Sequence, residues 1–139
     1  MVALRAGSHD DIAAVLAFWR EATAEPSTTD DADALAALLA RSPDGLILAV
    51  SDGAIVGSII GAWDGWRGAL YRLAVSPAYR RQGIATALVA AAEQLLRDAG
   101  VRRMGLIAGR AGGAGVEAFW RSAGYEATEQ VRFVKTFIS

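Results

Sequence analysis

The fold of this chain is decided by residues 70–85, which read LYRLAVSPAYRRQGIA. The apolar run Leu70–Val75 predicts a strand, and the Ser76-Pro77 pair ends it. A basic turn, Arg80–Ala85, then opens directly into a stretch with helical periodicity. A helix that begins straight after such a turn presents unpaired N–H groups and the positive end of its dipole, and both favour an anion.

The turn also contains residue types that suit phosphate. Gly83 lets the backbone approach a ligand closely. The guanidinium groups of Arg80 and Arg81 can donate charge-assisted hydrogen bonds to phosphate oxygens. An ordinary strand-to-helix turn is the alternative, but it rarely combines two arginines with a glycine at a helix start. The sequence therefore predicts a phosphate-bearing ligand at this turn.

Length and composition limit the classes of protein to which this chain can belong. The 139 residues, 53% of them hydrophobic, predict one folded domain over residues 1–139 with a sizeable core. A net charge of −1, from 14 basic and 15 acidic residues, argues against a nucleic-acid partner. Because cysteine is absent, thiolate catalysis and zinc–thiolate sites are excluded, and we expect no metal. With no leader-like start and no membrane-spanning apolar stretch, we expect a soluble, cytoplasmic protein.

The spacing of apolar residues predicts the element order βααβββαβαβ. The predicted elements, with loops at 25–29 and 109–115, are strand 2–6, helix 12–22, a helix from 30–33 to 42, strands 46–50, 54–63 and 70–75, helix 84–98, strand 103–108, helix 116–123 and strand 131–138. The expected buried stripe of the long helix is Ile84, Leu88, Ala91, Ala92, Leu95 and Ala99. A helical crossover makes strands 70–75 and 103–108 parallel. The fold class is therefore α/β, with antiparallel N-terminal strands in a mixed sheet and helices on both faces.

Three positions of the basic turn carry a family resemblance. Arg80, Gly83 and Ala85 match the motif Arg/Gln-x-x-Gly-x-Gly/Ala, by which the Gcn5-related N-acetyltransferase (GNAT) family binds acetyl-CoA. The motif lies between the strand end LAVSP, residues 73–77, and an amphipathic helix. Residues 117–125, EAFWRSAGY, are similar to the closing segment of the family. The chain thus resembles a GNAT over essentially its whole length.

The resemblance implies acetyl-CoA as co-substrate and a splayed central strand pair. The pantetheine arm would pair along Leu73–Val75 like an added strand. A backbone N–H near Val75 would polarise the thioester carbonyl and stabilise the oxyanion of the tetrahedral intermediate. The amine would attack the thioester directly, with no acyl-enzyme. The residues implied to bind the co-substrate are Leu73, Ala74, Val75, Arg80, Arg81, Gln82, Gly83, Ile84, Ala85, Thr86 and Trp120.

Two departures from the family concern proton transfer. Trp120 and Gly113 occupy positions where relatives often carry a tyrosine acid and an asparagine. An indole N–H donates a hydrogen bond but does not release its proton near neutral pH. A protonated amine cannot attack, so a base must first remove its proton. Asp64 is the first candidate for this base, with Glu21 and Glu25 as alternatives.

The acceptor site is expected at the first helix pair and at the chain reversal of residues 64–68. The candidate residues are Trp19, Glu21, Asp64 and Tyr71. Residues 18–20 and 64–68 are also similar to small bacterial GNATs of the YpeA type. As alternatives, Trp19 and Trp120 pack in the core and Asp64 stabilises its tight turn.

The resemblance favours an N-acetyltransferase that acts on a primary amine of a small molecule or peptide. The alternative is a CoA-binding regulatory module with little catalytic activity. The family and the aromatic hairpin around Trp66 also suggest a homodimer.

Overall fold

The computed structural model describes residues 1–22, 27–108 and 113–137. Its elements are β1 (Val2–Ala6), α1 (Ile12–Ala22), α2 (Ala32–Arg41), β2 (Leu46–Ser51), β3 (Ala54–Trp63), β4 (Gly68–Val75), α3 (Ile84–Asp98), β5 (Met104–Leu106) and α4 (Gly113–Ser122). The whole sheet lies in one compact unit, Met1–Ile107, and α4 lies in a second, Ala108–Ser139. That residues 1–139 form one domain stays a prediction. None of the helices in the described ranges has the length and apolar character needed to cross a membrane.

The sheet confirms the predicted mixed topology. Its strand order is β1-β2-β3-β4-β5, with antiparallel pairs except for the parallel pair β4–β5. Pairing between β4 and β5 covers only three residues of each strand, Gly68–Leu70 and Met104–Leu106. β4 then continues through Tyr71–Val75 beyond the last of these pairs. The two central strands therefore pair only at one end, as expected for a splayed pair.

Helices cover both faces of the sheet, as predicted. On one face α1 and α2 bury Val15, Trp19 and Leu35 in one cluster with Leu48 and Ile60 of the sheet. α3 lies on the other face. A Cβ atom added at Gly57 would lie 3.0 Å from Leu88. Because side chains of a strand alternate between the faces, the glycines of β3 let α3 approach the sheet closely.

Side-chain caps precede α1 and α2, which begin where the sequence predicts helices. Before α1, the N–H of Ser8 donates to the carboxylate of Asp11 at 2.8 Å, and Arg5 forms an ion pair with the same carboxylate. Before α2, the carboxylate of Asp31 accepts a hydrogen bond from the N–H of Ala34 at 2.8 Å. These side chains satisfy N–H groups that have no partner within the helix.

The buried side of α3 differs from the predicted stripe. Ile84, Leu88 and Ala92 are buried as expected, but the stripe continues through Leu96, and Val89 is buried beside it. Predicted members Ala91 and Leu95 are only half-buried, and Ala99 is exposed. The buried side is rotated toward Val89 and Leu96, because Leu88 and Leu96 are the side chains that lie against the glycines of β3 and β4.

The C-terminal prediction is wrong for the residues that the structure describes. Residues 131–137 form no strand, and Phe133 is 92% exposed. Strand composition alone does not form a strand, because its backbone groups need a neighbouring strand to pair with. β5 is also shorter than predicted, and α4 begins at Gly113 instead of residue 116. Glu25, residues 109–112 of the predicted loop and Ile138 lie outside the described residues.

Candidate functional site

A β-bulge interrupts β4 where the strand stops pairing with β5. Two residues of β4, Arg72 and Leu73, lie opposite the single residue Ile59 of β3. Arg72 has φ +54°, a left-handed conformation that is uncommon for a residue with a side chain. Bulges bend a strand and increase its twist. The bulge therefore lies where β4 turns away from β5.

Polar groups drawn from three segments hold the bulge in place. The hydroxyl of Ser58 donates to the carbonyl of Arg72 at 2.8 Å, and it accepts the indole N–H of Trp19 at 2.9 Å. The Arg72 guanidinium forms an ion pair with Asp30, at the start of α2, and lies 5.3 Å from the centre of the Trp19 ring. Because Ser58 is fully buried, its hydrogen bonds have no competition from water.

The structure favours a role for Trp19 in core packing over the predicted role in binding the acceptor. The side chain is only 2% exposed and belongs to the cluster of α1, α2 and the sheet. Its N–H is directed to Ser58 rather than to a pocket. Trp19 therefore stabilises the bulge through Ser58, and its side chain is too buried to contact a ligand.

Beyond the bulge, alternate backbone N–H groups of β4 face the edge turned away from β3. The N–H of Ser76 donates to the carbonyl of Val56 in β3, at 2.8 Å. Successive N–H groups along a strand point to opposite edges, so the N–H of Val75 points away from β3. By the same alternation the N–H of Leu73 points the same way. This edge has the donors that an added strand-like ligand needs.

The basic turn has the features of an anion site. Gly83 is the N-cap of α3 with φ +80°, and Arg81 also has a positive φ of +65°. No side chain caps this helix start, and its first turn contains no acidic residue. The exposed residues at the turn are Arg80, Arg81, Gln82, Gly83 and Thr86, whereas Ile84 is buried and anchors the helix against β3. The first N–H groups of α3 are therefore suited to a pyrophosphate.

The structure favours the turn role of Asp64 over the role as base. One carboxylate oxygen accepts hydrogen bonds from the N–H groups of Trp66 and Arg67, both at 2.8 Å. The bond from Arg67 and then that from Trp66 lower the pKa of Asp64 below its usual value. In addition, Asp64 lies before the first residue of β4 and Val75 is the last, so the length of that eight-residue strand separates them. At the usual rise of a strand this is roughly 20 Å, too far for both to act on one thioester.

Of the other predicted acceptor residues, Tyr71 shares a pocket with Asp64, and Glu21 is not among the residues that line this pocket. Tyr71 is half-exposed and lines a pocket of about 290 Å³ together with Arg41, Trp63 and Asp64. Glu21 lies exposed at the end of α1. The structure thus brings Tyr71 and Asp64 together.

Trp120 packs within its own unit. Its ring forms edge-to-face contacts with Phe119 and Tyr125, each with ring centres 5.1 Å apart. Its role in binding the co-substrate stays a prediction. In the described ranges no three acidic or histidine side chains are grouped so that they could hold a metal ion.

Sequence reasoning missed the residues that hold the bulge. Asp30 was assigned only to the start of a helix, and Ser58 and Arg72 had no assigned role. One signal was present, since Ser58 interrupts an otherwise apolar strand. A buried hydroxyl requires a partner. That partner, the carbonyl of Arg72, follows from the strand register and not from the sequence.

Known proteins share both the sequence pattern and the fold. A model of the acetyltransferase (GNAT) family matches residues 12–125. An acetyltransferase of Sodalis glossinidius (strain morsitans) is 36% identical over 104 residues, which are 75% of this chain and 73% of that protein. The fold is similar to that of Ard1 from Thermoplasma volcanium, with a TM-score of 0.79 at 22% identity over 91% of this chain and 84% of that one. It is also similar to the PaiA N-acetyltransferase from Thermoplasma acidophilum in complex with coenzyme A, with a TM-score of 0.74 at 18% identity over 88% of each chain. The chain therefore belongs to the GNAT family of acetyltransferases.

Proposed function

We propose that this chain transfers an acetyl group from acetyl-CoA directly to the primary amine of a small molecule or a peptide. One observation carries the proposal: the edge of β4 that carries the N–H groups of Leu73 and Val75 leads into the uncapped start of α3 at Gly83. The first feature suits the amides of pantetheine and the second suits a pyrophosphate. Their order along the chain matches the order of these groups in CoA.

Two segments of the chain then bind and orient the co-substrate. The N–H groups at Gln82–Thr86 and the side chains of Arg80 and Arg81 hold the pyrophosphate. The backbone of Leu73–Val75 aligns the pantetheine arm. The N–H of Val75 is the donor for the thioester oxygen, a contribution of about 3–4 kcal/mol in comparable sites. When bound, acetyl-CoA supplies an acetyl thioester that is already activated toward amines.

None of the contacts described above assigns the removal of the acceptor's proton to a residue. The carboxylate of Asp64 accepts the hydrogen bonds of its own turn. Glu21, which is exposed at the end of α1, remains a candidate for the base. The attacking amine must be neutral. We therefore expect the rate at low acceptor concentration to rise with pH until the acceptor amine is deprotonated.

Two measurements test the proposal. Acetyl-CoA at millimolar concentration should raise the melting temperature, because a ligand that binds only the folded state stabilises it. An unchanged melting temperature would remove CoA binding altogether. Release of the CoA thiol with a panel of amines then separates an enzyme from the alternative, a CoA-binding regulatory module. The homodimer, the cytoplasmic location and the likeness to the YpeA type stay predictions.

A further inference from the structure

A basic and aromatic surface lies at the end of β4 away from the turn that suits the pyrophosphate. The pocket of about 290 Å³ that contains Tyr71 adjoins a second of about 220 Å³, and Arg67 lines both. The two pockets together contain four arginines, which we call the pocket arginines: Arg41, Arg67, Arg102 and Arg103. The co-substrate phosphates belong to the opposite end of β4, so they do not account for this surface.

The charge of this surface is largely uncompensated. None of the ion pairs in the described part of the chain involves a pocket arginine. Asp64 is the single carboxylate in the two linings. One of its oxygens is engaged by the N–H groups of Trp66 and Arg67, and the Arg67 charge further lowers its pKa. Asp64 therefore compensates part of the charge of Arg67. The two linings contain no carboxylate for the other pocket arginines.

The arrangement is partly preorganised for a flat anion. The guanidinium of Arg67 lies over the ring of Trp66, 4.3 Å from its centre. This contact restrains the guanidinium, whose N–H groups can donate two parallel hydrogen bonds to a carboxylate. Trp63 and Tyr71, both exposed, add apolar surface beside the charges.

The position of the larger pocket connects it with the acceptor. Ala69 and Tyr71 of β4 line it, and the bulge begins at the next residue, Arg72. We propose that the pocket binds a carboxylate carried by the acceptor, so that the substrates are amines with an acidic group. This inference rests on the proposed acetyl transfer, because it places the acceptor beside the bulge.

The experiment compares matched amines that differ in one charge. Rates of CoA thiol release are measured for 4-aminobutyrate and 6-aminohexanoate and for the amide of each. The variants are Arg41→Glu and, as a control, Arg97→Glu. Both residues are arginines in the last turn of a helix, so the effect of each change on its helix is similar, but Arg97 lies outside both pockets. Melting curves verify that each variant folds.

We expect the wild type to prefer at least one carboxylate over its amide by about tenfold or more in kcat/KM. Arg41→Glu should remove this preference, while Arg97→Glu should keep it and leave the KM for acetyl-CoA and the rates with amides within about twofold. Equal rates with carboxylates and amides in the wild type would overturn the inference. So would a preference that persists in Arg41→Glu, or a stronger preference for 3-aminopropylphosphonate.

A separate outcome concerns the acetyl transfer itself. If no amine is acetylated, binding of 4-aminobutyrate and 6-aminohexanoate is measured by calorimetry. Binding of either that Arg41→Glu abolishes would keep the carboxylate site and remove the proposed function. Absence of binding would remove both.

Discussion

The buried hydroxyl of Ser58 donates a hydrogen bond to the backbone carbonyl of Arg72, 2.8 Å away. The bond spans the β3–β4 pair at the point where Arg72 adopts a left-handed conformation and β4 leaves β5. Trp19 supports it from α1 by donating to the same hydroxyl. A single side chain thus connects the core with the backbone that is expected to hold the acetyl donor.

Replacement of this hydroxyl should cost stability. In Ser58→Ala the Trp19 N–H and the Arg72 carbonyl both lose a buried partner, so we expect a loss of about 1–3 kcal/mol in the free energy of unfolding. Urea denaturation measures the loss. Ser51→Ala, at a buried serine of β2 with no side-chain hydrogen bond among the described residues, is the control and should cost less. Equal losses in the free energy of unfolding would show that the hydrogen bonds of Ser58 add no stability beyond the burial of a serine.

A side chain at Gly83 should abolish binding of acetyl-CoA. Gly83→Val forces a β-branched residue into φ +80° at the start of α3. Gly53→Val is a matched control, because Gly53 has φ +78° and an added Cβ contacts nothing within 4 Å at either site. We expect each variant to lose about 1–2 kcal/mol of stability.

The two glycine variants should differ in their response to the co-substrate. Acetyl-CoA should raise the melting temperature of Gly53→Val as it does that of the wild type, and it should not raise that of Gly83→Val. A normal shift in Gly83→Val would mean that the phosphate turn lies elsewhere.

The cap before α1 makes part of the stability depend on pH. Hydrogen bonds from Arg5 and from the N–H of Ser8 hold the pKa of Asp11 well below its usual value in the folded state. The charged carboxylate therefore stabilises the fold above its unfolded pKa of about 4, and this contribution is lost as the pH falls toward the folded pKa.

We accordingly expect Asp11→Asn to cost about 1 kcal/mol at pH 7 and less at pH 3. Urea denaturation at the two pH values measures this. Asp10→Asn, in the same turn but with no hydrogen bond among the described residues, is the control. The same cost at both pH values for Asp11→Asn would contradict the assignment.

Asp64→Asn should leave the pH profile of acetyl transfer unchanged. The amide oxygen of asparagine can still accept the N–H groups of Trp66 and Arg67, so the turn persists. Since the hydrogen bonds that lower the pKa of Asp64 also make its carboxylate a weaker base, it is poorly suited to accept the proton of the amine. Initial rates between pH 6 and pH 9, a range in which the neutral fraction of an aliphatic amine of pKa about 10 rises steadily, measure the profile. A rate loss in Asp64→Asn that is confined to low pH would restore Asp64 as the base.

Local patterns in the sequence determined most of the elements. The starts of α1 and α2, the turn between β2 and β3 and the phosphate turn at Gly83 all appear where the sequence predicts them. Each depends on residues within a few positions of one another. A helix start or a turn at a glycine can therefore be predicted without knowledge of the rest of the chain.

The tertiary structure alone decided which distant residues meet. Trp19 and Ser58 are 39 positions apart, and Ser58 and Arg72 are 14 apart. Their contact depends on the strand register, including a bulge that adds one residue to β4. The same packing buried Trp19 and placed Arg41 of α2 in one pocket with Tyr71 of β4. The sequence by itself determined the donor turn, because its chemistry is local, whereas the acceptor side depended on the folded chain, because its residues come from separate elements.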